Sequence, residues 1–197
     1  FLKDKRLEKA VRAVGRVYNT KRSYSIANSV FISPSHVLTN AHNLVDENCK
    51  NIKFETLVNF DGLSKGKRAQ CENILFSDKK YDVALVETSG GSTPHFMKVS
   101  RDPLKEGDKI EVLSYYHTHM MYVFNCAITG VNNIPDEKLK DDFGWITYRR
   151  DFYESGCIGE RGQSGAPAFD FDIDGNPVLR SLVVGHNGNN VYLYVML

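Results

Sequence analysis

The apolar residues of this chain change their period once, close to residue 14. Before that point Leu7, Ala10, Val11 and Val14 recur at helical spacing. Lys3, Lys5, Arg6, Glu8, Lys9 and Arg12 occupy the other face, which predicts a short amphipathic helix over residues 1–13. Such a stripe is read as a surface helix packed on the domain rather than a membrane-associated one. After Gly15, short segments rich in Val, Ile, Tyr, Phe and Thr follow one another. They are broken by turn formers such as Ser33-Pro34-Ser35, Asp61-Gly62, Gly90-Gly91, Arg101-Asp102-Pro103 and Asp174-Gly175-Asn176-Pro177. Many short strands with frequent turns predict an all-β sandwich or barrel system. Residues 29–32 and 36–39 read as a β-hairpin around Pro34. Residues 92–107, rich in Pro, Gly and polar side chains, are the expected connection between two halves.

Composition narrows the class. The 197 residues are 42% hydrophobic, enough for one two-layered domain or two small fused barrels. A formal net charge of +1 gives no signal for a nucleic-acid partner. No apolar run approaches the roughly 18 residues that a membrane-spanning helix needs. The chain opens at Phe1 without a signal-peptide pattern and is expected to be a processed product or a trimmed form. Compartment stays open between secretion, an intracellular setting and release from a polyprotein. Cys49, Cys71, Cys126 and Cys157 contain no C-x-x-C pair, so zinc-ribbon and thioredoxin-like readings are unsupported. They could form two disulfides or remain four thiols.

Three islands carry chemistry: Leu38-Thr39-Asn40-Ala41-His42, Tyr81-Asp82-Val83-Ala84-Leu85 and Gly162-Gln163-Ser164-Gly165-Ala166-Pro167. A serine hydroxyl is a poor nucleophile at neutral pH. It needs an imidazole to take its proton and a carboxylate to orient that imidazole. Taken alone, His42 is an ordinary half-buried histidine at a strand end, and Asp82 is a turn residue opening an apolar strand. Gly162 and Gly165 bracket Ser164. Glycine permits positive φ, so the N–H groups of Gly162 and Ser164 could converge as an oxyanion hole. In the order His, Asp, Ser, the three islands describe a nucleophilic triad.

On these residues, and on the late Val183-Val184-Gly185-His186-Asn187-Gly188, the chain resembles the chymotrypsin-fold (trypsin-like) serine peptidases. Within them it is similar to the compact bacterial and viral branch: glutamyl endopeptidases of staphylococcal type, HtrA-like proteases and viral 3C-like enzymes. The resemblance covers roughly residues 14–197. It implies two antiparallel six-stranded β-barrels, about 14–92 and 107–197, with the active site in the cleft between them. It makes His42 the general base, Asp82 its orienter and Ser164 the nucleophile, with Gly162 and Ser164 supplying the oxyanion N–H groups. Gln163 stands where the pancreatic members carry the aspartate that pairs with a liberated N-terminus, so activation by that route is not expected. The chain ends at Val195-Met196-Leu197 inside a strand-like run, where relatives continue into a helix or another domain.

The same resemblance assigns the wall that would read the P1 side chain to residues 157–161 and 184–190. Ile158 stands near the position where trypsin-like enzymes place an aspartate, so a basic P1 residue is disfavoured. His186 matches the histidine that reads an acidic or amide P1 in the glutamyl and 3C-like enzymes. Gly159 replaces its usual Ser or Thr helper, and Arg161 could add positive charge. P1 is expected to be Glu/Gln or a medium apolar residue.

Weaker candidates remain. His117 and His119 offer two imidazoles but no further ligand nearby, so no metal site is expected. Asp170, Asp172 and Asp174 with Gly175 lack the bidentate Glu of a calcium loop and read as a decorated hairpin turn. Arg149 and Arg150 read as cations on an edge strand. The expectation is a serine endopeptidase working through an acyl-enzyme on a protein or peptide substrate, with no cofactor and an open oligomeric state. The alternative is a catalytically idle domain of the same fold that binds a partner peptide in its cleft.

Overall fold

The computed structural model describes residues 4–21, 24–44, 48–56, 67–78, 81–90, 95–115, 121–133, 151–157, 159, 162–186 and 191–194. Helix α1 runs Lys5–Ala13. Asp4 caps it by accepting the Arg6 N–H at 2.9 Å. Beside the Arg6 guanidinium, which hydrogen-bonds it, the Asp4 carboxyl is lowered to about 2. The helix stops because Val14 turns to extended backbone and starts the first strand. Ala10, Val11 and Ala13 are buried, and Leu7 packs at the margin, so the apolar stripe faces the domain as its spacing predicts.

Six strands follow: β1 (Val14–Asn19), β2 (Tyr24–Ser33), β3 (His36–Thr39), β4 (Ile52–Thr56), β5 (Lys67–Asp78) and β6 (Val83–Ser89). They close into a barrel in the order β1-β2-β3-β6-β5-β4. Burial alternates along β4 and β6, the period-two signature of a strand with one face inside. Val17, Phe31, Ile52, Phe54 and Val86 fill the barrel. Burying each of the larger of these side chains contributes about 2–3 kcal/mol. On the outside, Glu55 lies between Arg16 and Arg68 and bonds both guanidinium groups.

The second half contains β7 (Lys98–Val99), β8 (Lys109–Tyr115), β9 (Met121–Asn133), β10 (Asp151–Ser155), β11 (Pro167–Phe171), β12 (Pro177–His186) and β13 (Val191–Tyr194). These form a seven-stranded sheet, β11-β8-β9-β10-β13-β12-β7, in which β11 also pairs with β12. The seventh strand departs from the expected six. β7 arises inside the connecting segment and pairs parallel to β12, Val178 with Lys98 and Leu179 with Val99. Both of its residues are exposed, so no apolar period marks it in the sequence.

A second apolar cluster lies between the halves. It joins Ala10 and Val11 of α1, Val14 and Val30 of the barrel, Met97 of the connection, and Leu113, Phe169, Leu179 and Leu182 of the second sheet. Val30 and Phe31 are consecutive, yet Val30 faces this seam and Phe31 the barrel interior. β2 is therefore buried on both faces where it carries Val30-Phe31-Ile32. The cysteines are oxidised in pairs, Cys49–Cys71 in the first half and Cys126–Cys157 in the second.

Candidate active site

β3 and β6 run antiparallel, and their last paired residues are Thr39 and Ala84. The chain leaving β3 and the chain entering β6 therefore emerge at the same barrel end. That places His42, in a 3-10 turn over Ala41–Leu44, beside Asp82, the residue before β6. His42 Nδ1 stands 2.6 Å from Asp82 Oδ2, and the His42 backbone N–H donates to Oδ1 at 2.8 Å. Asn40 Nδ2 donates to Oδ2 at 3.1 Å. Asp82 has no exposed surface. Burying a carboxylate is costly unless donors replace its water, and these three do so. Against a carboxylate, Nδ1 carries the proton, which leaves Nε2 as the acceptor nitrogen of the ring.

Asp82 also takes φ +47°, and no other non-glycine among the described residues has a positive φ. Aspartate tolerates the left-handed region better than most residues, at a cost of about 1 kcal/mol or more. The turn there is assisted by Asp78, whose carboxylate accepts the Tyr81 N–H at 3.0 Å. An acidic residue opening an apolar strand is thus a buried hydrogen-bond acceptor facing His42.

Ser164 sits in the loop before β11. Its carbonyl accepts the Asn28 N–H from β2 at 2.8 Å and Asn43 Nδ2 at 3.5 Å. On the other side, Gly165 N–H donates to Val183 O of β12 at 3.0 Å. The loop is therefore stapled to the closed barrel and to the second sheet at once. Gly165 is required for this: a Cβ there would lie 2.2 Å from Asn28 O and 2.8 Å from Thr39 Oγ1, and its φ is +80°. Gly162 has φ +91°. Among the described residues, neither the Gly162 nor the Ser164 N–H has a partner, and Ser164 Oγ makes no hydrogen bond to His42.

The expected P1 wall is placed only in part. Gly159 is buried. Ile158 and Arg161 lie outside the described residues, as do His117, His119, Arg149, Arg150 and the segment 195–197. His186 ends β12 opposite Val191, and its side chain lies outside the described part. Asp172 accepts the N–H groups of Asp174 and Asn176 at 3.0 and 2.7 Å, which makes the acidic run a hairpin turn. No metal-ligating cluster of three groups occurs among the described residues. Two surface clefts of about 390 and 480 Å³ lie on the second sheet, around Asp102 and Arg180 and around Phe169 and Phe171. Neither is lined by His42, Asp82 or Ser164.

Sequence reasoning overlooked two polar residues of this region, Asn28 and Asn43, and gave Thr39 and Asn40 of the first island no role. All four are buried. Their one visible signal is a short polar side chain in or directly after an apolar strand, a position that costs stability unless it is bonded.

A sequence profile of the trypsin-like peptidase domain matches residues 27–178, well over half of the chain. No curated protein matches the sequence. Among solved structures, the chain is similar to the Rv3671c protein of M. tuberculosis H37Rv in an inactive serine-to-alanine form. The TM-score is 0.73 at 19% identity, covering 98% of this chain and 86% of that one. The active form of the same protease gives 0.73 at 20% identity, covering 97% and 79%. The HtrA-type protease AlgW, solved with a decapeptide, gives 0.67 at 17% identity, covering 98% of this chain and 63% of that one. At these identities the likeness is one of fold.

Proposed function

The chain belongs to the trypsin-like peptidase family, and from that membership we propose that it is a serine endopeptidase with a His42–Asp82–Ser164 triad. The observation that carries this reading is the buried Asp82 carboxylate bonded to both the ring and the backbone N–H of His42. A carboxylate so placed holds the imidazole with Nε2 free to accept a proton, and stabilises the imidazolium once it forms. Ser164 Oγ attacks the scissile carbonyl carbon while its proton passes to His42 Nε2. The carbonyl oxygen becomes an oxyanion, for which the N–H groups of Gly162 and Ser164, unpartnered among the described residues, are the donors. Collapse of the tetrahedral intermediate expels the amine, which takes the proton from His42 and leaves an acyl-enzyme on Ser164. Water, deprotonated by His42, then releases the acid. The second sheet, in which β11 pairs with both β8 and β12, is read as the family's second barrel. P1 is assigned to Glu/Gln or a medium apolar residue, read by Ile158, Gly159, Arg161 and His186.

The idle-domain alternative is favoured by one observation, the missing hydrogen bond between Ser164 Oγ and His42. That bond is often long in free enzymes and tightens with substrate bound. Mass-spectrometric profiling of a diverse peptide library, with Ser164→Ala in parallel, tests the assignment. Cuts that vanish in the variant and fall after Glu or Gln support both triad and His186 pocket. Cuts after apolar residues keep the triad and retire His186 as the P1 reader. An absence of cuts by the unmodified protein selects the idle domain.

A further inference from the structure

Asn28 lies in β2, fully buried, between Ala27 and Ser29. A lone amide inside a core is expensive unless every polar atom finds a partner. Here it does. Oδ1 accepts the Tyr115 N–H of β8 at 2.7 Å, and Nδ2 donates to Gly162 O at 2.7 Å. Longer Nδ2 contacts reach Ser114 Oγ and Tyr115 O, both at 3.4 Å. The Asn28 backbone N–H meanwhile donates to Ser164 O at 2.8 Å, and its carbonyl accepts from Thr39 Oγ1 at 2.8 Å.

One residue therefore holds the carbonyls on both sides of Gln163. The peptide between those carbonyls carries the Ser164 N–H, one of the two oxyanion donors. Gly162 has no side chain to restrain its own torsions, so a hydrogen bond to its carbonyl supplies the restraint that a Cβ would otherwise give. We propose that the Asn28 side chain is a positioning residue for the oxyanion loop. It ties the Gly162 carbonyl to β8 across the seam, so that the Gly162 and Ser164 N–H groups are set before substrate arrives. The inference rests on the acyl-enzyme reading above. It differs from a purely structural role for Asn28 in what it predicts for rate: groups that shape an oxyanion site act in the transition state, so their loss lowers kcat and leaves KM in place.

The test uses the full chain with Asn28→Gly and Asn28→Asp. The glycine variant deletes the side chain and keeps the backbone bond to Ser164. The aspartate variant keeps the shape and an acceptor for Tyr115, but turns an acceptor toward Gly162 O. A fluorophosphonate probe reads the site directly: Ser164 Oγ bonds phosphorus, fluoride leaves, and the serine proton passes to His42. Labelling rates are measured below each variant's Tm, on folded protein, beside kcat and KM for a cleaved peptide. Both variants are expected to label about 30-fold more slowly than the unmodified chain, somewhat less than the loss of an oxyanion donor itself. KM should stay within about twofold. Unchanged labelling in either variant, or a fall in Tm with kcat retained, overturns the role of Asn28 and leaves the peptidase reading intact. If the unmodified chain is not labelled, the peptidase reading falls, and the proposed role with it.

Discussion

The apolar core inside the closed barrel and the one between the two halves use similar side chains, but they draw on different parts of the chain. Inside the barrel, Val17, Phe31, Ile52, Phe54 and Val86 come from strands that pair with their neighbours in one continuous ring. At the seam, a helix, a connecting segment, the outer faces of β1 and β2, and the second sheet all contribute. His42 and Asp82 depend on the first core, since both leave paired strands at one barrel end. The relation of Ser164 to them depends on the second core and on the staples from Asn28 and Gly165. Orientation of the proposed base is thus local to one half, and its alignment with the proposed nucleophile belongs to the contact between halves. The halves also share one device. Each is closed by its own disulfide, across 22 and 31 residues, contributing about 3–4 kcal/mol apiece on a chain-entropy account.

The sharpest way to break that comparison is within the barrel. Asp82→Asn keeps the shape and tolerates the left-handed φ, but it turns an NH2 group toward donors or forces His42 into the wrong tautomer. kcat for a cleaved peptide should fall about 10⁴-fold, with Tm nearly unchanged. A loss below tenfold would remove Asp82 from the triad. Next comes Gly165→Ala, which must move β2 or the loop because its methyl meets Asn28 O. A loss of about 10²-fold in kcat and about 3 kcal/mol in stability is expected, read by kinetics and by urea unfolding. Retained activity would show that the staple is dispensable.

Two core truncations then separate the regions. Phe54→Ala, inside the barrel, should cost about 4 kcal/mol while folded molecules keep their kcat; Leu182→Ala, at the seam, should cost about 3 kcal/mol and lower kcat several-fold as well. Equal kcat in the two variants would mean that the seam does not align the site. The smallest effect is at Glu55. Burial raises its carboxyl, but the charges and hydrogen bonds of Arg16 and Arg68 outweigh that and hold it below the usual range. A lowered carboxyl stabilises the fold at pH above its ordinary value of about 4.3, and that contribution is lost as pH falls through the folded value. Glu55→Gln should therefore cost about 2 kcal/mol near neutrality. It should also flatten the acid limb of the stability curve measured by urea unfolding. An unchanged limb would place the acid sensitivity elsewhere.

Much of this architecture is legible in local order. The helical stripe of Leu7, Ala10 and Val11, the hairpin around Pro34 and the turn at Asp172 follow from side-chain period and turn chemistry, which act over a few residues. So do the glycines around Ser164, where a positive φ disfavours most other residues. Family resemblance assigns the expected roles of His42, Asp82 and Ser164, and strand pairing explains how His42 and Asp82 meet across 40 residues. Other features have no local signature. Lys98 and Val99 become a strand only because β12 offers an edge. Cys49 meets Cys71, and Cys126 meets Cys157, only once strands distant in sequence are packed. Asn28 reads as a misplaced polar residue until Tyr115 and Gly162 arrive from the other half. Period and turn preference are properties of neighbouring residues, whereas a buried hydrogen bond or a parallel edge pairing depends on which distant segments the packing brings within about 3 Å.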